Sequence, residues 1–162
     1  MSERPSAHRR ENYRHFLPIQ TRWSDNDAYG HVNNVVYYSW FDTVVNEYLI
    51  ASGALDIQSS AVVGLVVETK CNYFSELAFP QRVDAGLRVA HVGTSSVRYE
   101  LALFGALSDS AAAQGHFVHV YVDRAGRRPA PLPPLLRAAV ERLAAGRGRP
   151  RRPAPWRPRR AR

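Results

Sequence analysis

Residues 21–38 read Thr-Arg-Trp-Ser-Asp-Asn-Asp-Ala-Tyr-Gly-His-Val-Asn-Asn-Val-Val-Tyr-Tyr, so two acids, a Gly-His turn and an asparagine pair stand directly ahead of a long apolar helix. Asp25 and Asp27 precede the turn, Gly30 permits a tight backbone, and Asn33 or Asn34 can cap the first orphan amides of a helix running to about Ser52. If the segment is extended, Asp25 and Asp27 share a face, and each carboxylate raises the other's proton affinity. A carbonyl oxygen placed at the start of the helix would meet unpaired N–H groups and the positive end of the helix dipole. The backbone amides of Asn33, Asn34 and Val35 are the candidate donors, because helix-start amides lack internal partners.

Outward from this stretch the pattern is one strand, one long helix, four strands and a short helix. Arg14 to Trp23 alternates loosely and reads as the first strand. In the helix, Tyr37, Phe41, Val45 and Leu49 form one ridge and Val36, Trp40, Val44 and Tyr48 its neighbour, an apolar face wide enough for a helix enclosed by a sheet. After the break at Gly53, Leu65, Val67, Cys71 and Tyr73 alternate with more polar neighbours, as in a strand with one buried face. Val83 to Val89 and Val97 to Leu103 flank the turn Gly93-Thr94-Ser95-Ser96 at hairpin spacing. Ala111 to Asp123 supplies the last strand, and Leu135 to Ala145 a short helix after a proline run. A mainly antiparallel sheet curled around one central helix, an α+β arrangement, accommodates every element.

Length and composition suit one domain with its own core. Residues 1–12 read as a disordered lead, 13–145 as the folded domain and 146–162 as a disordered tail. The eight arginines between Arg147 and Arg162 account for the whole net charge of +8, so the remainder is formally neutral. The tail's charge would draw it to polyanions, but it lacks the aromatic-interleaved repeats or zinc ligands of a nucleic-acid reader, and a solvated appendage is the reading we adopt. No apolar run is long enough to span a bilayer, and residues 1–14 lack the apolar core of a secretory signal. With Cys71 the sole cysteine, a reducing cytoplasm is the simplest setting. The six histidines are scattered without ligand spacing, there is no glycine-rich phosphate loop, and no Gly-x-Ser-x-Gly elbow is present.

The opening stretch resembles the signature of the hotdog-fold acyl-CoA thioesterases, specifically the 4-hydroxybenzoyl-CoA thioesterase-like family, which runs Asp-x-Asp-x-x-Gly-His-Val-Asn-Asn-x-x-Tyr. Here it stands as Asp25, Asp27, Gly30, His31, Val32, Asn33, Asn34 and Tyr37. The likeness extends over roughly residues 13–143, through the phrase from Tyr73 to Pro80, the Gly93–Ser96 turn and the Arg128–Pro133 run. It implies a five-stranded sheet wrapped around a long central helix and hydrolysis of an acyl-CoA to free acid and coenzyme A, with no cofactor or metal. It also implies a homodimer or homotetramer whose site lies at the subunit boundary.

Under that resemblance Asp27 matches the catalytic carboxylate, acting as nucleophile or as general base for water. Asp25 takes a supporting role. His31 either orients the thioester or water or is simply structural, and the amide of Asn34, with those of Asn33 and Val35, stabilises the oxyanion. Tyr37 lines the acyl pocket or packs in the core. Ser95 and Ser96 meet the pantetheine arm or make an ordinary turn. Arg127 and Arg128, with Arg124, are the candidate contacts for the nucleotide phosphates. Glu47 lies about three helical turns past the helix start, too far for catalysis, and suits a salt bridge. An acyl carrier protein thioesterase and a non-catalytic acyl-CoA-binding module stay open as alternatives.

Overall fold

The computed structural model describes residues 3–144, so the tail expected from residue 146 lies outside the described residues. The elements in order are β1 (His15–Gln20), α1 (Asn34–Ala51), β2 (Val62–Tyr73), β3 (Arg82–Val92), β4 (Ser96–Gly105), β5 (Ala113–Asp123) and α2 (Pro134–Glu141). The five strands form one sheet in the order β1-β3-β4-β5-β2, and every neighbouring pair is antiparallel. This is the hotdog arrangement.

α1 starts where it does because Asn33 is extended and its side-chain oxygen accepts the Val35 amide at 3.1 Å. It stops at Ser52, beyond which Gly53 turns away at φ 74. Tyr37, Trp40, Phe41, Val44, Val45 and Leu49 are buried against the concave face of the sheet. The opposite side of the helix, with Val35, Ser39, Asp42, Thr43 and Ile50, is exposed. The sheet therefore covers one side of α1 in a single chain rather than enclosing it.

Three other expectations are corrected. The first strand ends at Gln20, because Trp23–Asp25 forms a 3-10 turn instead of continuing it. β2 has no buried face along its middle: Leu65, Val66 and Val67 are 38%, 47% and 60% exposed, since β2 is an edge strand paired only with β5 and bulges between Val66 and Glu68. The lead is not disordered over His8–Asn12. Ala111 N donates to His8 O, Arg10 reaches Asp84 at 2.8 Å and the Gly105 carbonyl, and a 3-10 turn delivers Tyr13, wholly buried, onto Phe104 across the convex face.

The antiparallel register gives the sheet two distinct ends. Gln20, Arg82, Gly105, Ala113 and Tyr73 gather at one; Val92, Ser96, Asp123 and Val62 gather at the other, about 30 Å away at 3.3 Å per residue. The two edges also differ. β1 has six residues with Pro18 among them, whereas β2 has twelve and no proline.

β5 and β2 approach closely at Gly115, where a Cβ would run into the Lys70 carbonyl and come within 3.0 Å of Phe41 Cε2. Backbone cannot yield as a side-chain tip does. Gly115→Ala is expected to cost about 3 kcal/mol or more, read as a lowered midpoint in urea unfolding.

Candidate active site

The loop between β1 and α1 is fixed by Asp25. Its carboxylate is wholly buried and accepts the Arg22 amide at 2.7 Å through Oδ2, while Oδ1 takes both Arg22 Nε (3.0 Å) and Nη2 (2.8 Å). Its backbone carbonyl accepts the Asn33 amide at 2.8 Å, which ties the turn directly to the residue that caps α1. The segment is thus not extended, and the two carboxylates do not share a face as the spacing suggests. Asp25 spends both oxygens on Arg22.

Asp27 stands differently. Its Oδ1 accepts the Tyr29 amide at 2.8 Å, its own amide donates to His31 O at 2.8 Å, and Gly30 N donates back to its carbonyl at 3.1 Å. Gly30 closes this loop at φ 83, a conformation in which a Cβ would be strained. The second carboxylate oxygen of Asp27 has no partner among the described residues. It is available for chemistry.

The start of α1 supplies one donor rather than three. The Asn33 amide is taken by Asp25 O and the Val35 amide by the Asn33 side chain, which leaves the Asn34 amide as the member of the trio without an acceptor. Asn34 also lines a pocket of about 310 Å³ with His31, Val32 and Tyr37 on one side and Tyr73, Phe74, Ser75 and Glu76 on the other. Asp27 itself is not among the lining residues.

Sequence reasoning missed that second wall. The phrase from Tyr73 to Pro80 is brought to the loop by Val32 N donating to Leu77 O at 2.8 Å and Phe79 N to Asn26 Oδ1 at 3.0 Å, with Trp23 against Phe79 edge to face. Its recurrence beside the motif was the available signal. Glu76 pairs with His31 Nε2 at 2.9 Å on the pocket wall, and the Tyr73 hydroxyl donates to Asn34 O at 3.3 Å. Tyr37 is buried in the core and also lines this pocket. Burial pushes its phenol up to about 12, the neighbouring Cys71 adding to the effect, the Leu77 backbone opposing it, and Glu76 and Asp27 contributing less. Burial likewise lifts the Cys71 thiol to about 11, against a hydrogen bond with Tyr73. Both groups stay protonated at neutral pH.

The remaining residues are not brought here within one chain. Ser95 and Ser96 lie in the β3–β4 turn, where Ser95 O accepts the Tyr121 amide at 2.7 Å, and Arg127 and Arg128 follow β5; all four sit at the far end of the sheet. Arg127 holds φ 56, left-handed for a non-glycine residue, and Arg124 is committed to the Ile57 and Ser60 carbonyls. Glu47 is 3.5 Å from His15 Nε2, far from the loop. Among the described residues no cluster of His, Cys, Asp and Glu forms a metal-ligand set, and no helix is long and apolar enough to cross a membrane.

Comparison with known proteins extends this geometry. The PA5185 protein from Pseudomonas aeruginosa strain PAO1 is 57% identical, with a TM-score of 0.84 over 86% of this chain and 97% of its own. The PA2801 protein from the same species is 29% identical, with a TM-score of 0.74 over 79% of this chain and 98% of its own. Slr0204, a 1,4-dihydroxy-2-naphthoyl-CoA thioesterase from Synechocystis, is 18% identical with a TM-score of 0.71, over 77% of this chain and 93% of its own, a likeness of fold. No match was found among curated proteins. The profile of the thioesterase-like superfamily matches residues 21–140, which takes in the Asp25–Tyr37 loop, its pocket and the whole sheet beyond β1, and the chain belongs to that superfamily.

Proposed function

We propose that the protein is an acyl-CoA thioesterase of the 4-hydroxybenzoyl-CoA thioesterase-like kind, with Asp27 as the catalytic carboxylate. One observation carries this reading: a carboxylate with an uncommitted oxygen and a helix-start amide without an acceptor belong to the same rigid loop, at Asp27 and Asn34. The acyl carbonyl oxygen is taken to lie on the Asn34 amide, where the helix dipole favours the developing negative charge. Asp27 then either draws the proton from an attacking water or attacks the carbonyl itself to form a mixed anhydride that water opens. By either route a C–O bond forms and the C–S bond breaks. The proton from water ends on the departing thiol of coenzyme A. His31, held by Glu76, orients the thioester arm.

The reading includes a homodimer. β2 offers a twelve-residue free edge whose middle is apolar and exposed, and the open face of α1 runs beside it. Pairing two such edges antiparallel about a two-fold axis brings the Tyr73 end of one copy against the Val62–Val66 end of the other. The pocket at Asn34 would then face the far end of the partner's sheet, where Ser95, Ser96, Arg127 and Arg128 of the partner subunit lie. This pairing would bring those residues toward the thioester arm.

Two substitutions test the chemistry separately. Asp27→Asn is expected to lower kcat by about two orders of magnitude or more with KM largely kept, measured on a panel of acyl-CoA thioesters with a thiol reagent. Asn34→Pro removes the free N–H at a position where proline is tolerated, because Asn33 is already extended. It should fold normally and lose about a hundredfold in kcat, while Asn34→Ala, which keeps the amide, loses far less. Near-native turnover by Asp27→Asn would sink the assignment.

Assembly is tested by light scattering, which should give a dimer or tetramer. Replacing Val66 and Val67 together by lysine is expected to yield monomer with little activity. A fully active monomer would contradict the shared site.

A further inference from the structure

The pocket beside Asn34, at about 310 Å³, is at the low end of the volumes that enclose small-molecule ligands. One of its walls is polar, with His31 and Glu76 paired at 2.9 Å. Its aromatic wall carries Tyr73. That ring meets Tyr37 edge to face at 5.1 Å, and its hydroxyl donates at 3.3 Å to the carbonyl of Asn34, the first residue of α1. Since Tyr73 is the last residue of β2, a single side chain spans the gap between strand and helix. Tyr37, fixed in the core, backs it.

The gap continues past this bar. On the same concave face of β2 come Cys71 and Thr69, opposite Gly115 and Phe117 of β5. On the helix comes Tyr38, half-buried and edge to face with the core residue Phe41 at 6.2 Å. Cys71 is also half-buried and packs against the core, whereas Thr69 is exposed because β2 is an edge. Cys71, Thr69 and Tyr38 do not line the Asn34 pocket. They border a seam on the other side of Tyr73.

We infer that Tyr73 determines acyl-chain length: the pocket admits a compact acyl group, and the Tyr73 ring bars longer chains from the seam between α1 and β2. This rests on the thioesterase reading above. A longer chain in the pocket has the His31–Glu76 wall or solvent ahead of it, and neither rewards its apolar surface. Removing the ring joins the pocket to the seam, where Cys71 and Tyr38 offer half-buried surface on which further methylenes can be covered. The hydroxyl holds the ring across the gap, but the ring itself is the obstacle.

The test runs acetyl-, butanoyl-, hexanoyl-, octanoyl- and dodecanoyl-CoA through wild type and variants. Wild-type kcat/KM should be highest for chains of about six carbons or fewer and lower by about fivefold or more for dodecanoyl-CoA. In Tyr73→Ala the dodecanoyl-to-butanoyl ratio should rise about tenfold, chiefly through KM. Tyr73→Val, which keeps a strand-favouring residue, should move it the same way, and Tyr73→Phe should keep the wild-type order. Cys71, the sole cysteine, gives a readout independent of turnover. S-dodecyl-coenzyme A, a thioether that cannot be hydrolysed, should slow maleimide labelling of Cys71 in Tyr73→Ala and leave it unchanged in the wild type. A wild type that prefers dodecanoyl-CoA, a length profile unchanged in both Tyr73→Ala and Tyr73→Val, the same shift in Tyr73→Phe, or Cys71 labelling that responds alike in both proteins would each overturn the inference while leaving the thioesterase reading in place. Failure of the wild type to hydrolyse any thioester would overturn both.

Discussion

The contact on which the site depends is the closure of Asp25 onto Arg22. A wholly buried carboxylate accepts a backbone amide and a guanidinium from a residue three positions earlier, and its carbonyl accepts the amide of Asn33. Removing one partner of such a group leaves the other buried and unpaired, so the turn resists opening. The rest of the candidate site hangs from it. Asn33 is held extended and can cap α1, the cap consumes the Val35 amide, and the Asn34 amide is left over. Asp27, two residues on, is carried outside the turn with one oxygen uncommitted. The difference between the two acids is one of position relative to a 3-10 turn, and it decides which has both oxygens committed and which keeps one free.

Order and type of the elements were legible because the signals are local. The wide apolar face of α1, the asparagine pair ahead of it and the Gly93–Ser96 turn each reflect short-range physics. What escaped depends on tertiary neighbours. Alternation along Leu65, Val67 and Cys71 cannot distinguish a central strand from an edge, so the exposure of β2 was invisible. The lead through His8 and Arg10 is polar and reads as solvated, yet its hydrogen bonds go to Gly105 and Gln114 of distant strands and to Ser108 in the turn between β4 and β5. Within the site, the motif marked Asp27 and Asn34, but which amide remains free is settled by acceptors that only the fold supplies.

A single chain shows two incomplete features, an uncovered side of α1 and an apolar free edge on β2, and they adjoin. The substrate-contact residues expected from the sequence divide the same way, with Tyr37 at one end of the sheet and Ser95, Ser96, Arg127 and Arg128 at the other. A two-fold axis across β2 reconciles all of these at once, because antiparallel pairing exchanges the ends. Under the proposed pairing, the polar and aromatic equipment of the far end would serve a neighbour's chemistry rather than its own.

The proline in β1 bears on how far such association can go. An exposed strand edge is a template, and a sheet with two competent edges can recruit copies indefinitely into a fibre. Pro18 has no N–H to offer a newcomer, and with only six residues β1 presents a poor landing strip. The molecule therefore has one long, apolar, exposed margin at β2 and one short, proline-blocked margin at β1. In the proposed dimer, joining two copies through the β2 margins would exhaust them, so growth would terminate at a closed pair instead of running on, and the imino acid would act as a stop signal for polymerisation written into the first strand.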